Sequence, residues 1–154
     1  MPIPELNSDG YLPPGIHAAT LRETLARFGV GAASRRQKSE LLRLAVEAAQ
    51  MYPTIKRVLV WGSFVTAKPE PNDLDYSIVV SVDHPRAIIA PPHRRFFVPV
   101  EARQFYGVDK AYLELGDYPL ITYTEQLIFI CATRRRQPCG IIEISLRGET
   151  TGEI

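Results

Sequence analysis

Two carboxylates follow a small-residue turn at short range: Trp61-Gly62-Ser63, nine residues, then Asp73-Leu74-Asp75-Tyr76. The β-prone run Lys56-Arg57-Val58-Leu59-Val60-Trp61 delivers the turn. Glycine at its end lets backbone approach a ligand with no Cβ in the way. Beyond the turn, the stretch from Asp73 to Val82 alternates. Leu74, Tyr76, Ile78, Val80 and Val82 share one strand face, and Asp73, Asp75, Ser77, Val79 and Ser81 share the other. The first face is expected to bury and the second to meet a cleft or solvent. Paired ionised carboxylates repel unless a cation lies between them. Mg²⁺ takes oxygen ligands, commonly one or two carboxylates with substrate phosphate and water. Metal held there would activate an attacking hydroxyl and steady a leaving pyrophosphate. Gly62 and Ser63 would offer N–H groups and a hydroxyl to triphosphate oxygens. Positioning and charge neutralisation are most of what such a transfer needs.

Each half also has an ordinary explanation. Aspartates after a Pro-Asn turn commonly cap it, and Gly-Ser after a strand is commoner still. The combination, with a strand on either side, points to chemistry. Pro69 and Pro71 in the linker keep any helix after Ser63 short.

The pattern apolar–Gly–Ser, about ten residues, Asp–apolar–Asp–apolar resembles the signature of the nucleotidyltransferase superfamily with a polymerase-β-like fold. That superfamily includes the minimal nucleotidyltransferases, some of which act as antitoxins. The longer run from Gly62 to Asp75 also resembles a little-characterised family of short bacterial proteins assigned to it. Leu12-Pro13-Pro14-Gly15-Ile16-His17, Phe105-Tyr106-Gly107-Val108-Asp109 and Gly140-Ile141-Ile142-Glu143-Ile144 fit the same family, so the likeness spans most of the chain. The resemblance implies an α+β fold, a mixed sheet of about four strands with helices packed on it. It implies Mg²⁺ or Mn²⁺ on Asp73 and Asp75, and a nucleoside triphosphate held by Gly62, Ser63 and Lys68. The superfamily often adds a third carboxylate on the following strand. Asp109, at the start of Val108–Leu115, fits by position as ligand or base, and Glu114 is its rival. The acceptor hydroxyl could belong to a protein, an RNA end or a small molecule, and a toxin–antitoxin or defence pair is one setting. Larger members carry a helical domain for base or acceptor; this chain has little room for one, so a partner subunit or an oligomer could supply it. The other readings are a non-catalytic nucleotide- or protein-binding module, and an assembly protein whose Asp pair only caps a turn.

The chain has 154 residues, 45% of them hydrophobic and 23% charged, as expected of one ordinary globular domain. A net charge of +1 gives no field that would by itself collect nucleic acid. Cys131 and Cys139 have no metal-like spacing, and His17, His84 and His93 form no triad. Reduced thiols, no basic-then-apolar leader and no apolar run long enough to span a bilayer point to a cytoplasmic protein away from membranes.

The scaffold is read as an irregular arm, 1–16, and one domain, 17–150. The domain begins with a helix over 17–28 stopped by Gly29-Val30-Gly31, then a helix over 35–51 capped by Ser34. Its Leu41, Leu42, Leu44, Ala45, Ala48 and Ala49 form an apolar stripe for the sheet. Arg22, Arg27, Arg35, Arg36 and Lys38 read as a solvated basic surface. Pro91-Pro92 breaks the chain before a helical start at His93. A helix over 125–135, with Arg134-Arg135-Arg136 at its C-terminus, and a last strand over 140–146 complete the set.

Overall fold

The computed structural model describes residues 3–80, 89–97 and 139–146, together with the strand placement of 110–114. The elements in order are β1 (Ile16–Ala18), α1 (Leu21–Phe28), α2 (Ala33–Gln50), β2 (Ile55–Trp61), β3 (Asp75–Val80), α3 (Pro91–Phe97), β4 (Lys110–Glu114) and β5 (Ile141–Ser145). The fold is α+β, with a five-stranded mixed sheet in the order β1-β5-β2-β3-β4. The β2 strand is antiparallel to both β3 and β5, while β1 runs parallel to β5 and β4 parallel to β3.

One more strand is present than the sequence suggests. Residues 16–18, read as arm and helix start, pair instead with 141–143. The helix then begins at Leu21 behind a capping box. The Thr20 hydroxyl accepts from the Glu23 amide at 3.0 Å, and the Glu23 carboxylate accepts from the Thr20 amide at 2.8 Å. The Thr-X-X-Glu signal was in the sequence, and the apolar pattern ran past it. Two of the family-like segments also acquire a purpose here. Leu12–His17 and Gly140–Ile144 lie side by side, with the Gly140 amide donating to the Leu12 carbonyl at 3.0 Å and the Ile141 amide to that of Gly15 at 2.9 Å. A Cβ at Gly140 would overlap the Pro13 carbonyl and fall 2.7 Å from Leu12 Cβ. Gly140→Ala is therefore expected to push the arm off β5 and lower the Tm by about 4–8 °C, the scale of about 2 kcal/mol of overpacking, read in a thermal melt.

The main core lies between α2 and one sheet face. Leu42, Ala45, Val46 and Ala49 meet Val58, Val60, Tyr76, Ile78, Val80, Ile142 and Ile144. Full burial of a side chain such as Leu42 contributes about 2 kcal/mol. The period-2 reading of β3 holds for this face. The opposite face is buried too, with Leu59, Val79 and Ile141 clustered and Trp61 against them. Every residue from Asp75 to Val80 is buried, so the second face does not meet open solvent as alternation suggested. The strand also starts at Asp75, leaving Asp73 and Leu74 ahead of it.

The α2 helix starts at Ala33, and its N-cap, Ala32, makes no side-chain cap. Ser34 does not cap it; its hydroxyl donates to the Pro71 carbonyl at 2.7 Å. The α3 helix begins on the prolines rather than after them, since a first turn needs no N–H there. Tyr52 and Tyr76 dock it. The Ala90 amide donates to the Tyr52 hydroxyl, which pairs with His93 Nδ1 at 2.5 Å, and the Tyr76 hydroxyl donates to the Phe96 carbonyl at 2.8 Å. The expected turn at 83–85, helix at 125–135, Arg134–Arg136 run and Cys131 lie outside the described residues.

Candidate functional site

The antiparallel β2–β3 pair brings the two halves of the motif together. Trp61 pairs with Asp75, the last residue of one strand with the first of the next. Gly62 follows with φ +83° and ψ −165°. This region of backbone space is essentially restricted to glycine. The Asp75 carboxylate lies directly over it: a Cβ at Gly62 would overlap Asp75 Oδ2 and fall 3.2 Å from its Cγ. Asp75 is 7% exposed, while Asp73 stands exposed just before the strand. The pair therefore occupies two environments rather than one strand face.

After Gly62 the chain makes one 3-10 turn, Ser63–Val65, with Phe64 and Val65 buried. What holds this loop is a residue that composition assigned to the solvated surface. Arg35 is 7% exposed, and its guanidinium enters the loop from the first turn of α2. Nη1 donates to the carbonyls of Phe28 at 2.9 Å and Phe64 at 2.7 Å. Nη2 donates to Thr66 at 2.6 Å and to Lys68, which also receives Nε at 3.1 Å. The group lies over the Phe64 ring at 5.8 Å. Burial lowers the Arg35 pKa, and these carbonyl dipoles offset the desolvation of the charge. Only the planar fork of arginine carries five donors in directions that reach four carbonyls.

The loop amides are largely spent as well. Val65 donates to Gly62 at 3.2 Å, Thr66 to Ser63 at 3.3 Å, Ala67 to Gly10 at 2.9 Å and Lys68 to the Thr66 hydroxyl at 3.2 Å. The first residues of the turn differ: among the described residues the amides of Ser63 and Phe64 and the hydroxyl of half-buried Ser63 make no hydrogen bond. The Ser63 groups are thus left for an outside acceptor.

Ser63 opens onto a pocket of about 460 Å³. Lys68 and Ala67 extend the same wall, and Asp9 and Tyr11 of the N-terminal arm form the other. Ser63 and Lys68 thus line one pocket, with Gly62 next to Ser63 in the chain and the arm as an unforeseen neighbour. Nothing in the arm's composition indicates that it returns to this loop; an Asn7-X-Asp9-Gly10 turn followed by Tyr11 was the only available signal.

The β3–β4 register fixes the level of Glu114 along β3. Lys110 pairs with Tyr76, the neighbour of Asp75, whereas Glu114 pairs with Val80 at the far end of β3. Four strand residues separate those levels, about 13 Å, so Glu114 stands away from Asp75. Asp109 lies outside the described residues, as does the Phe105–Asp109 segment. Asp73 and Asp75 are hard oxygen donors of the kind Mg²⁺ prefers, and two carboxylates are within its usual protein share. Among the described residues, no group of three or more His, Cys, Asp or Glu side chains could hold a metal ion. No helix among those residues is long and apolar enough to cross a membrane.

No curated protein and no solved structure matches the chain. A family profile does, that of a family of unknown function (DUF6932), over residues 4–145. The order of helix, strand, glycine turn and carboxylate-led strand thus sits inside a family match covering nearly the whole sequence, and the chain belongs to that family.

Proposed function

We propose that the protein is a Mg²⁺-dependent nucleotidyltransferase that moves a nucleoside monophosphate from a nucleoside triphosphate to a hydroxyl acceptor. The observation that carries this reading is the contact of the Asp75 carboxylate with the backbone of Gly62, which joins a phosphate-type turn to a metal-type carboxylate. Ser63 and Lys68 hold the triphosphate oxygens in this scheme, and Asp73 with Asp75 hold the ion. Mg²⁺ when bound supplies charge neutralisation on the phosphates and a lowered pKa for the attacking hydroxyl. The hydroxyl oxygen forms a bond to the α-phosphorus, the bond from that phosphorus to the β-bridging oxygen breaks, and pyrophosphate leaves with the electron pair. The hydroxyl proton passes to a carboxylate. We assign that part to Asp109, because it precedes Lys110, whose partner Tyr76 follows Asp75. A toxin protein, an RNA end or a small molecule serves as acceptor, in the cytoplasm.

The test is calorimetric titration with non-hydrolysable ATP, GTP, CTP and UTP analogues, with and without Mg²⁺, beside a pyrophosphate-release assay. Asp73→Asn/Asp75→Asn is expected to weaken Mg²⁺-dependent binding about a hundredfold, the equivalent of about 3 kcal/mol of metal-mediated charge stabilisation. Full binding and transfer in that variant would overturn the proposal. A second reading is a nucleotide- or protein-binding module of the same fold with little turnover. The exposed position of Asp73 ahead of the strand favours it, since the two carboxylates are not fixed on one face. Mg²⁺-dependent binding without pyrophosphate release would select it.

A further inference from the structure

The arm opposite Ser63 is built, not draped. The Asn7 side-chain carbonyl accepts from the amides of Asp9 and Tyr11, both at 3.0 Å, and the Asn7 amide donates to the Tyr11 carbonyl at 2.7 Å. The turn so closed is fastened to the loop. The Ala67 amide donates to the Gly10 carbonyl at 2.9 Å, and Tyr11 bridges to Thr66 in antiparallel fashion. A Cβ at Gly10 would come within 2.9 Å of Ala67 Cβ, so the two walls are in van der Waals contact. Arg35 fixes the loop wall from behind. Between the walls lies the pocket of about 460 Å³. Volumes of this order suit small ligands.

Its lining has a definite chemistry. Exposed Asp9 and Lys68 and half-buried Ser63 line it, and among the described residues their side chains make no hydrogen bond or ion pair, so a carboxylate, a cation and a hydroxyl are within reach of a ligand that displaces solvent. Tyr11 adds an aromatic residue to the arm wall. A ligand complementary to this lining has a phosphate at the Ser63 and Lys68 wall, a flat ring beside the tyrosine, and hydroxyl or amino donors for the Asp9 carboxylate. Sugar hydroxyls and exocyclic amines are such donors.

We infer that this pocket receives the nucleoside part of the triphosphate, and that the arm turn Asn7–Tyr11 reads its sugar or base. The inference rests on the nucleotidyltransferase reading of Gly62–Ser63 and Asp73–Asp75. The loop and carboxylates take the phosphates, and the arm supplies selectivity among nucleosides.

Titration of the full chain with Mg²⁺ and either tripolyphosphate or the four non-hydrolysable triphosphate analogues separates the two parts. Asp9→Asn and Tyr11→Ala are each expected to weaken the preferred nucleotide about tenfold, the scale of one lost stacking or carboxylate contact, and to leave tripolyphosphate unchanged. Asp9→Asn is isosteric and keeps the turn's backbone bonds, so it answers even if Tyr11→Ala folds poorly. Nucleotide affinity unchanged in both variants, but lost in Asp73→Asn/Asp75→Asn, would overturn the arm's role and leave the phosphate site standing. Equal weakening of tripolyphosphate and nucleotide would also overturn it, by showing that the arm only shapes the loop. Failure of the wild-type chain to bind either ligand would sink both readings.

Discussion

Alanine at Gly62 is expected to abolish Mg²⁺-dependent nucleotide binding and to cost about 3–4 kcal/mol of stability. Two independent penalties combine. The backbone sits at φ +83° and ψ −165°, where an L side chain is strained by about 1–3 kcal/mol. The new methyl would also occupy the space of Asp75 Oδ2. Asp75 is buried between strands that cannot separate without breaking the β2–β3 ladder, so its carboxylate has to rotate away from the loop. The loss of binding therefore exceeds what strain alone causes. Urea unfolding and nucleotide titration on the same preparation check the two effects. Asp75→Ala in the Gly62→Ala background removes the overlap but not the strain, so the double variant should recover part of the stability and none of the binding. An unaltered unfolding midpoint for Gly62→Ala would mean that the carboxylate does not lie over this backbone.

Arg35→Met is expected to lower the Tm by about 6–12 °C, corresponding to about 3 kcal/mol in a chain of this size. Methionine occupies a similar volume, so the change isolates the hydrogen bonds. It leaves the carbonyls of Phe28, Phe64 and Thr66 short of their donors in a buried setting, and that of Lys68 in a part-buried one. Arg35→Lys should recover little, because an ammonium keeps the charge but cannot span four carbonyls. Hydrogen exchange supplies the local reading. The Ala67 amide, which bonds to Gly10, should exchange faster in Arg35→Met as the loop wall loosens. Retention of wild-type Tm and exchange would show that the loop holds its shape without the guanidinium.

The contrast between these two residues marks what the sequence discloses. Gly62 announces itself, because glycine between a β-prone run and a polar linker has few other uses, whereas alternation put Asp75 beside Asp73 on an open face and could not show that the strand starts at Asp75 and buries it. Most of the apolar stripe of α2 and the Tyr76–Val80 face follow from periodicity, although Leu44 of that stripe is exposed and Val46, outside it, is buried. Arg35 was invisible because its burial depends on four carbonyls, three of them about thirty residues away, and no local pattern encodes a backbone acceptor. A neighbouring arginine, Arg36, is exposed, so composition treated the pair alike. The β1 strand was missed for a related reason. Three residues carry no period, and their pairing is decided by β5 at the other end of the chain. The capping box at Thr20 was legible and was outweighed by apolar spacing that ran on into the strand before it.

That β1–β5 pairing also orders events during synthesis. Residues 16–18 emerge early, yet their partner strand is 141–143, so the ladder closes a span of more than a hundred residues. The β5 strand also lies between β1 and β2, which means that β2 keeps an open edge until β5 arrives. A nascent chain that stops before Ile141 can form the β2–β3 hairpin with its glycine and carboxylate, but it has nowhere to seat the arm's strand. The β1 end of the arm thus gains its sheet partner only once β5 has emerged, whereas the Asn7–Tyr11 turn already has Thr66 and Ala67 to hold it.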